Sequence, residues 1–275
     1  MGLREGGQGH YRLEGTDDSS GMTSAIQESR PDMIFHLAGL ASSEHPAPLY
    51  SVNVVYAAEL LNATEQAHRK GTPILLVGTA AEYGLVVKKD LPVREDHPPR
   101  PYNHHGISKL AQTLLALAQA QAGHRLVVVR PGNIIGSGMP PHLLLGRMVK
   151  EIERIANHEK EARIDVGNLD SARDFVDIDD VVEVYWNLIR NPKAYGEVVN
   201  VCSGEATPVR TVVERLIALS GVRVEVVSQP GLRKTHDPAV YCGSVSKLGG
   251  LVERVPRFEL DKTLKSILSS TALQQ

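Results

Sequence analysis

Three short apolar runs, each followed by a longer stretch of helical periodicity, constrain this chain more than any other feature. "DMIFHLAG" (32–39), "TPILLVGT" (72–79) and "RLVVVRPGN" (125–133) are nearly continuous in apolar character and too short for buried helices. Runs of this kind read as strands covered on both faces. Between them lie "VNVVYAAELLNATEQAHRKG" (52–71) and "ISKLAQTLLALAQAQAG" (107–123), which repeat at helical spacing and close on glycine. Short apolar strands separated by such helices are the signature of a parallel sheet, and the crossovers must be right-handed. The expected fold class is therefore α/β: a doubly wound, Rossmann-like parallel sheet.

Past residue 135 the alternation loosens. "GSGMPPHLLLGRMVKEIERI" reads as loop then helix, and "RDFVDIDDVVEVYWNLIR" (173–190) as a helix. "EVVNVCSG" reads as a strand, "TPVRTVVERLIALSG" as a helix that Thr207 caps and Pro208 starts, and "VRVEVV" as a last strand. The expected organisation is a flexible N-terminal tail over 1–23 and a truncated Rossmann-like core over 24–135. Residues 136–275 would form a mixed lobe that completes the sheet and carries substrate contacts.

The start of the chain departs from the pattern. A dinucleotide sheet opens with a strand, a glycine-rich turn and a helix. Here the first clear strand is at 32, and "GGQG" has neither an apolar strand before it nor an apolar helix after it. It reads as tail rather than as a phosphate cradle.

Composition narrows the function. A formal net charge of -2 over 275 residues excludes nucleic acid and membrane surfaces as main partners. No apolar run reaches the ~18–20 residues of a membrane span, and the N-terminus has no signal-peptide core. The location expected is cytoplasmic. Cys202 and Cys242 read as two thiols, with a disulfide as the alternative. The eleven histidines show no metal-ligand spacing.

Read alone, Thr79 is a β-branched residue finishing a strand and Lys109 a solvated helix lysine. Lys109 stands four residues after His105, so the two share one helix face. An imidazole titrates near ~6.5 and can exchange protons at neutral pH.

Taken in order, "PDMIFHLAG", "NVVYAAELLNAT", "ILLVGTAAEYG", "PVREDHPPRPYNHHGISKLAQ", "VVVRPGNIIGSGMPP", "GNLDSARDFVDIDDVVEVYW" and "GEVVNVCSGEATPVRTVVERLIALSG" resemble the extended short-chain dehydrogenase/reductases that act on nucleotide sugars. Within that family they most resemble the GDP-6-deoxy-4-keto-D-mannose reductases, with GDP-mannose 4,6-dehydratases as relatives. The resemblance implies an NAD(P)-dependent nucleotide-sugar oxidoreductase. It would act on a GDP-linked sugar by hydride transfer, with NADP or NAD as cofactor. It implies a catalytic group of Thr79, His105 and Lys109, where His105 occupies the family's tyrosine position. It places Gly39, Gly78, Lys109, Pro131 and Asn133 near the cofactor, and Asn53, Asn133, His142, Asn168, Arg173 and Arg233 near the substrate. Tyr83 would pack, Tyr102 would lie in a turn before the helix, and Ala81 stands where the dehydratases carry a glutamate. Glu82, in an extended segment, would point the other way. The resemblance also implies a homodimer through helices 52–70 and 106–122.

Two departures accompany the resemblance. The family's first strand, glycine-rich turn, first helix and second strand find no counterpart, and His105 replaces tyrosine. They leave two alternatives. One is a homologue that binds a nucleotide sugar or a protein partner without turnover. The other is a natural chain that begins further upstream. A sheet lacking those strands would present an apolar edge, covered by dimerisation or by the tail.

Overall fold

The computed structural model describes residues 18–159, 161–232 and 238–269. Its main sheet holds β1 (Ile34–His36), β2 (Ile74–Val77), β3 (Leu126–Pro131) and β7 (Val198–Val201), in the order β1-β2-β3-β7 and parallel throughout. The register pairs Ile34 with Ile74, Leu75 with Val127 and Val129 with Val199. Successive side chains alternate between the two faces, which explains why these runs are apolar at every position. On one face Ile74, Leu76, Leu126 and Val128 meet Ala57 and Leu61 of α3 (Tyr56–Gln66) and Ala116 of α4 (His104–Gln121). On the other, Leu75, Val127, Val129, Val199 and Val201 meet Val181, Val184 and Leu188 of α6 (Ile178–Ile189), and Leu248 of α8 (Ser246–Gly249). The doubly wound architecture is as expected.

A smaller sheet of β4 (Asn133–Ile135), β6 (Ala172–Asp177) and β8 (Ala206–Pro208) has the order β4-β6-β8, and β5 (Arg163–Val166) pairs with β9 (Glu225–Ser228). Helices α5 (Leu144–Ala156), α7 (Val209–Ser220) and α9 (Leu260–Ser269) close a second core around Met148, Ile152, Ile164, Val212, Leu216 and Leu264.

Four local expectations are corrected. Residues 19–23 belong to a helix, α1 (Ser19–Ser29), whose N-terminus is capped by the Asp18 carboxylate accepting from Gly21 N at 2.8 Å. Met22 and Ile26, one turn apart, bury against Ala63 and Ala67 of α3 and fix α1 there. Residues 1–17, with "GGQG", lie outside the described residues. The helix expected from 173 begins at 178, because 172–177 pair as β6 and Asp177 caps α6 by accepting from Asp179 N at 2.9 Å. Thr207 does not cap α7: it is paired with Arg173 in β8, and Pro208 precedes the helix with no side-chain cap. The helix expected from 52 is one continuous rod of α2 (Ala47–Tyr50), a π-helical turn at Ser51–Val55, and α3.

Candidate active site

The site forms where β1 and β2 end, beneath the first turns of α4. Asn103 starts α4 by accepting from Gly106 N at 2.8 Å, which leaves Tyr102 outside the helix. A Cβ on Gly106 would stand 2.6 Å from Ala81 O, so only glycine lets α4 lie this close to the turn after β2. That approach carries the face made by His105, Ser108, Lys109 and Gln112 to the strand ends.

Lys109 is the centre of this face. Its Nζ donates to Val77 O at 2.8 Å and to Gln112 Oε1 at 2.9 Å, and Gln112 Nε2 also donates to Val77 O at 3.2 Å. Burial pushes the ammonium down to about 8, against the opposing pull of Glu82. Gly39 passes directly over it, since a Cβ there would be 3.0 Å from Lys109 Nζ and 3.3 Å from Asn53 Oδ1. Asn53 is fully buried in the π-helical turn. It clamps one residue of the loop after β1, accepting from Leu40 N at 2.9 Å and donating to Leu40 O at 2.9 Å and Ser108 Oγ at 2.9 Å. A π-helical turn in a helix is a frequent mark of a functional position. His105 Nδ1 lies 3.0 Å from Leu40 O, and burial holds the imidazole below its ordinary range. His36, the last residue of β1, is pushed down to about 4 by burial and by the Lys109 charge.

Thr79 follows β2 and caps the 3₁₀ turn Ala80–Tyr83 by accepting from Ala81 N at 3.3 Å. Glu82 closes the capping box on Thr79 N at 3.0 Å. The segment is a turn, not extended, so Glu82 does not point away. Its carboxylate is fully buried, accepts from Thr113 Oγ1 at 2.9 Å and pairs with Arg130 at 2.8 Å. Gly78 serves this arrangement, for its missing Cβ would fall 2.4 Å from Glu82 Oε1. Tyr83 packs, as expected, beneath the Arg130 guanidinium and donates to Asn200 Oδ1 at 2.7 Å.

The structure thus brings together Gly39, Asn53, Thr79, His105 and Lys109 around two strand ends. The remaining candidates lie further along the chain. Pro131 is buried at the end of β3, and exposed Asn133 starts β4, on the strand beside Arg173 of β6. His142 is exposed ahead of α5, and Asn168 follows β5 and accepts from Asp170 N at 3.0 Å. Arg233 lies outside the described residues. The sequence reading missed Ser108 and Gln112 and gave Glu82 the wrong direction. Their signals were present: Ser108 and Gln112 stand three residues after His105 and Lys109 on the same face, and "TAAE" (79–82) has the capping-box spacing. It also missed Asp174. This buried carboxylate accepts from Ser203 N and Oγ at 2.8 and 2.7 Å and from Gly204 N and Gly243 N at 3.1 Å, joining β6 to two loops.

Among the described residues no group of three or more His, Cys, Asp or Glu could hold a metal ion, and no helix is long and apolar enough to cross a membrane.

Residues 11–202 match the model of the NAD dependent epimerase/dehydratase family. The chain is 31% identical to GDP-6-deoxy-D-mannose reductase of Pseudomonas aeruginosa over 244 residues, 87% of this chain and 80% of that one. It is 28% identical over 237 residues to GDP-6-deoxy-D-talose 4-dehydrogenase of Aggregatibacter actinomycetemcomitans, covering 86% and 78%. The solved structure of RMD from Pseudomonas aeruginosa complexed with NADPH superimposes with a TM-score of 0.86 at 29% identity, covering 94% of this chain and 85% of that one. UDP-glucose 4-epimerase of Thermotoga maritima shares the fold, with a TM-score of 0.82 at 24% identity.

Proposed function

The chain belongs to the NAD dependent epimerase/dehydratase family, and from that premise we propose that it is an NAD(P)-dependent nucleotide-sugar oxidoreductase acting on a GDP-linked deoxy sugar. The observation that carries this reading is the seating of Lys109 between the ends of β1 and β2, under Gly39 and beside Asn53. Ligands of open α/β sheets bind at such strand ends.

The residues fit the nicotinamide-ribose end of a dinucleotide. Lys109 directs two of its three N–H groups at Val77 O and Gln112, which leaves a third for a ribose hydroxyl. The glycine at 39 keeps the backbone low enough for a ligand to lie over it. The N-terminus of α1 does not offer a pyrophosphate site, since the Asp18 carboxylate already occupies it. When bound, the dinucleotide supplies or accepts the hydride. Thr79 Oγ1 accepts from Ala81 N, so its own proton is available to a sugar oxygen. The Lys109 ammonium keeps the site positive and disfavours a second cation beside it.

The two GDP-6-deoxy-sugar enzymes among the relatives support a GDP-linked substrate. Asn133, His142, Asn168, Arg173 and Arg233 are the side chains we assign to it. Exposed Val55, Ile107 and Leu114 on the rods 47–66 and 104–121 support a homodimer through those helices. The free thiols Cys202 and Cys242 support a reducing, cytoplasmic setting.

Calorimetric titration with NADPH and NADH, then with GDP and GDP-mannose, tests the reading. Micromolar binding of a dinucleotide is expected, weakened at least tenfold in Lys109→Met. Absence of dinucleotide binding would overturn it.

A further inference from the structure

We propose that His105 is a proton acceptor held in one tautomer, Nδ1–H bonded to Leu40 O with Nε2 bare, which suits this chain to oxidising a sugar hydroxyl. The inference rests on the family reading for its substrate and on the geometry for its chemistry.

The partner of Nδ1 is a carbonyl oxygen, which can only accept. The ring nitrogen facing it must therefore carry the proton. Leu40 cannot turn away, because Asn53 holds its N–H and its carbonyl together at 2.9 Å each, from a fully buried position. Ser108 fixes Asn53 in turn, and Ser108 Oγ donates to His105 O at 3.0 Å, so the clamp and the imidazole share one backbone frame. In the neutral ring the second nitrogen, Nε2, is then an acceptor only. Nε2 forms no hydrogen bond among the described residues and is not among the wholly buried atoms that lack one, so it reaches accessible space. The charged groups acting on the ring are Lys109 on its own helix, which disfavours imidazolium, and Glu82 in the turn after β2, which favours it. Burial, the largest influence, acts with Lys109 to hold the imidazole below its ordinary range, against the Leu40 carbonyl bond and Glu82.

A neutral Nε2 cannot give a proton to a ketone, but it can take one from an alcohol. In the step proposed, the hydroxyl O–H bond breaks and its proton bonds to Nε2. The oxygen electron pair forms the C=O bond. The carbinol C–H bond breaks, and its electron pair leaves as hydride to an oxidised nicotinamide dinucleotide. The carbinol is oxidised, the dinucleotide is reduced, and the imidazolium then passes its proton to water. A tyrosine at this position must ionise first, and an unperturbed phenol does so near pH ~10, against ~6.5 for imidazole.

Long-range ¹H–¹⁵N correlation spectra of the histidine-labelled full chain, with His105 assigned by its loss in His105→Gln, read the tautomer directly and need neither substrate nor cofactor. A protonated Nδ1 and bare Nε2 at neutral pH are expected. The opposite tautomer, or imidazolium at pH 7, overturns the proposal. Kinetics of sugar-alcohol oxidation supply the second readout. The acidic limb of the kcat/KM profile should move to higher pH by at least about one unit in His105→Tyr, following the difference between the two side chains. An unmoved limb, or full oxidation by His105→Gln, also overturns it. Failure to bind a dinucleotide would instead strike the proposed function, and the spectrum would still decide the tautomer.

Discussion

The two ends of the main sheet are built differently. At the β7 end every residue, Val198 to Val201, is buried although the strand pairs only with β3 among the described residues, and α6 and α8 cover the face that α3 and α4 do not. At the other end β1 likewise has one hydrogen-bonded neighbour among the described residues. Ile34 and Phe35 are half-buried, and the loop after the strand leaves Leu37 64% exposed. Phe35 stacks on Trp186 of α6 at 6.4 Å, and Trp186 and Val182, one turn apart, stand 48% and 59% exposed. The same apolar, β-branched chemistry therefore forms a closed core at one end and a margin that the described residues leave partly exposed at the other. The candidate active site lies near the margin, on the loops after β1 and β2. Its precision comes from the interior: Lys109 hangs on Val77 O, and Thr79 on the Glu82–Arg130 pair.

If the interior supplies that precision, Glu82→Ala should be the most damaging change. It leaves Arg130 buried without its partner and removes the cap on Thr79, at a cost of about 3–5 kcal/mol. Urea unfolding would measure it, and a loss below about 1 kcal/mol would show that the interior does not depend on this pair.

Leu75→Ala, in the central strand, should cost about 2–5 kcal/mol by the same measurement. Phe35→Ala, across the register in β1, should cost clearly less, because Phe35 is only half-buried. Equal losses would mean that the margin is covered in solution.

A third test uses pH. His36 sits in the edge strand but on its buried side, and its Nε2 has no partner. Its folded value of about 4 lies below the ordinary 6.5, so between the two the unfolded chain binds more protons. Stability from this residue is therefore complete above pH 6.5 and is lost as the pH falls through about 4, by up to ~3 kcal/mol. His36→Gln should flatten that stretch of the stability–pH curve.

The smallest effect is expected at the margin itself. Val182→Lys and Trp186→Ala should change monomer stability by no more than about 0.5–1 kcal/mol. They should also reduce binding of an apolar dye. A larger loss, dependent on protein concentration, would reveal a partner seated there.

The central strands and both long helices were legible because burial on two faces leaves a periodic record in the chain. Lys109 and His105 were placed on one face by spacing alone. Glu82 was misread, although "TAAE" carries the capping pattern, because an extended backbone was assumed where a 3₁₀ turn forms. The strand at 172–177 was read as helix because its apolar residues run straight into those of α6, and only pairing with Asn133–Ile135 and Ala206–Pro208 separates them.

What the sequence by itself determined is the order of strands and helices, the parallel sheet and the residues able to exchange protons or carry charge. These follow from local periodicity and side-chain chemistry, which need no knowledge of distant neighbours. Tertiary structure alone decided which nitrogen of His105 is bare, where the Lys109 ammonium is anchored, and where Glu82 points. Each depends on a partner far away in the chain: Leu40 O, 65 residues from His105; Val77 O, 32 from Lys109; Arg130, 48 from Glu82. Hydrogen bonds and desolvation act over a few ångströms of space, so chemistry that rests on them becomes visible only once the chain has folded.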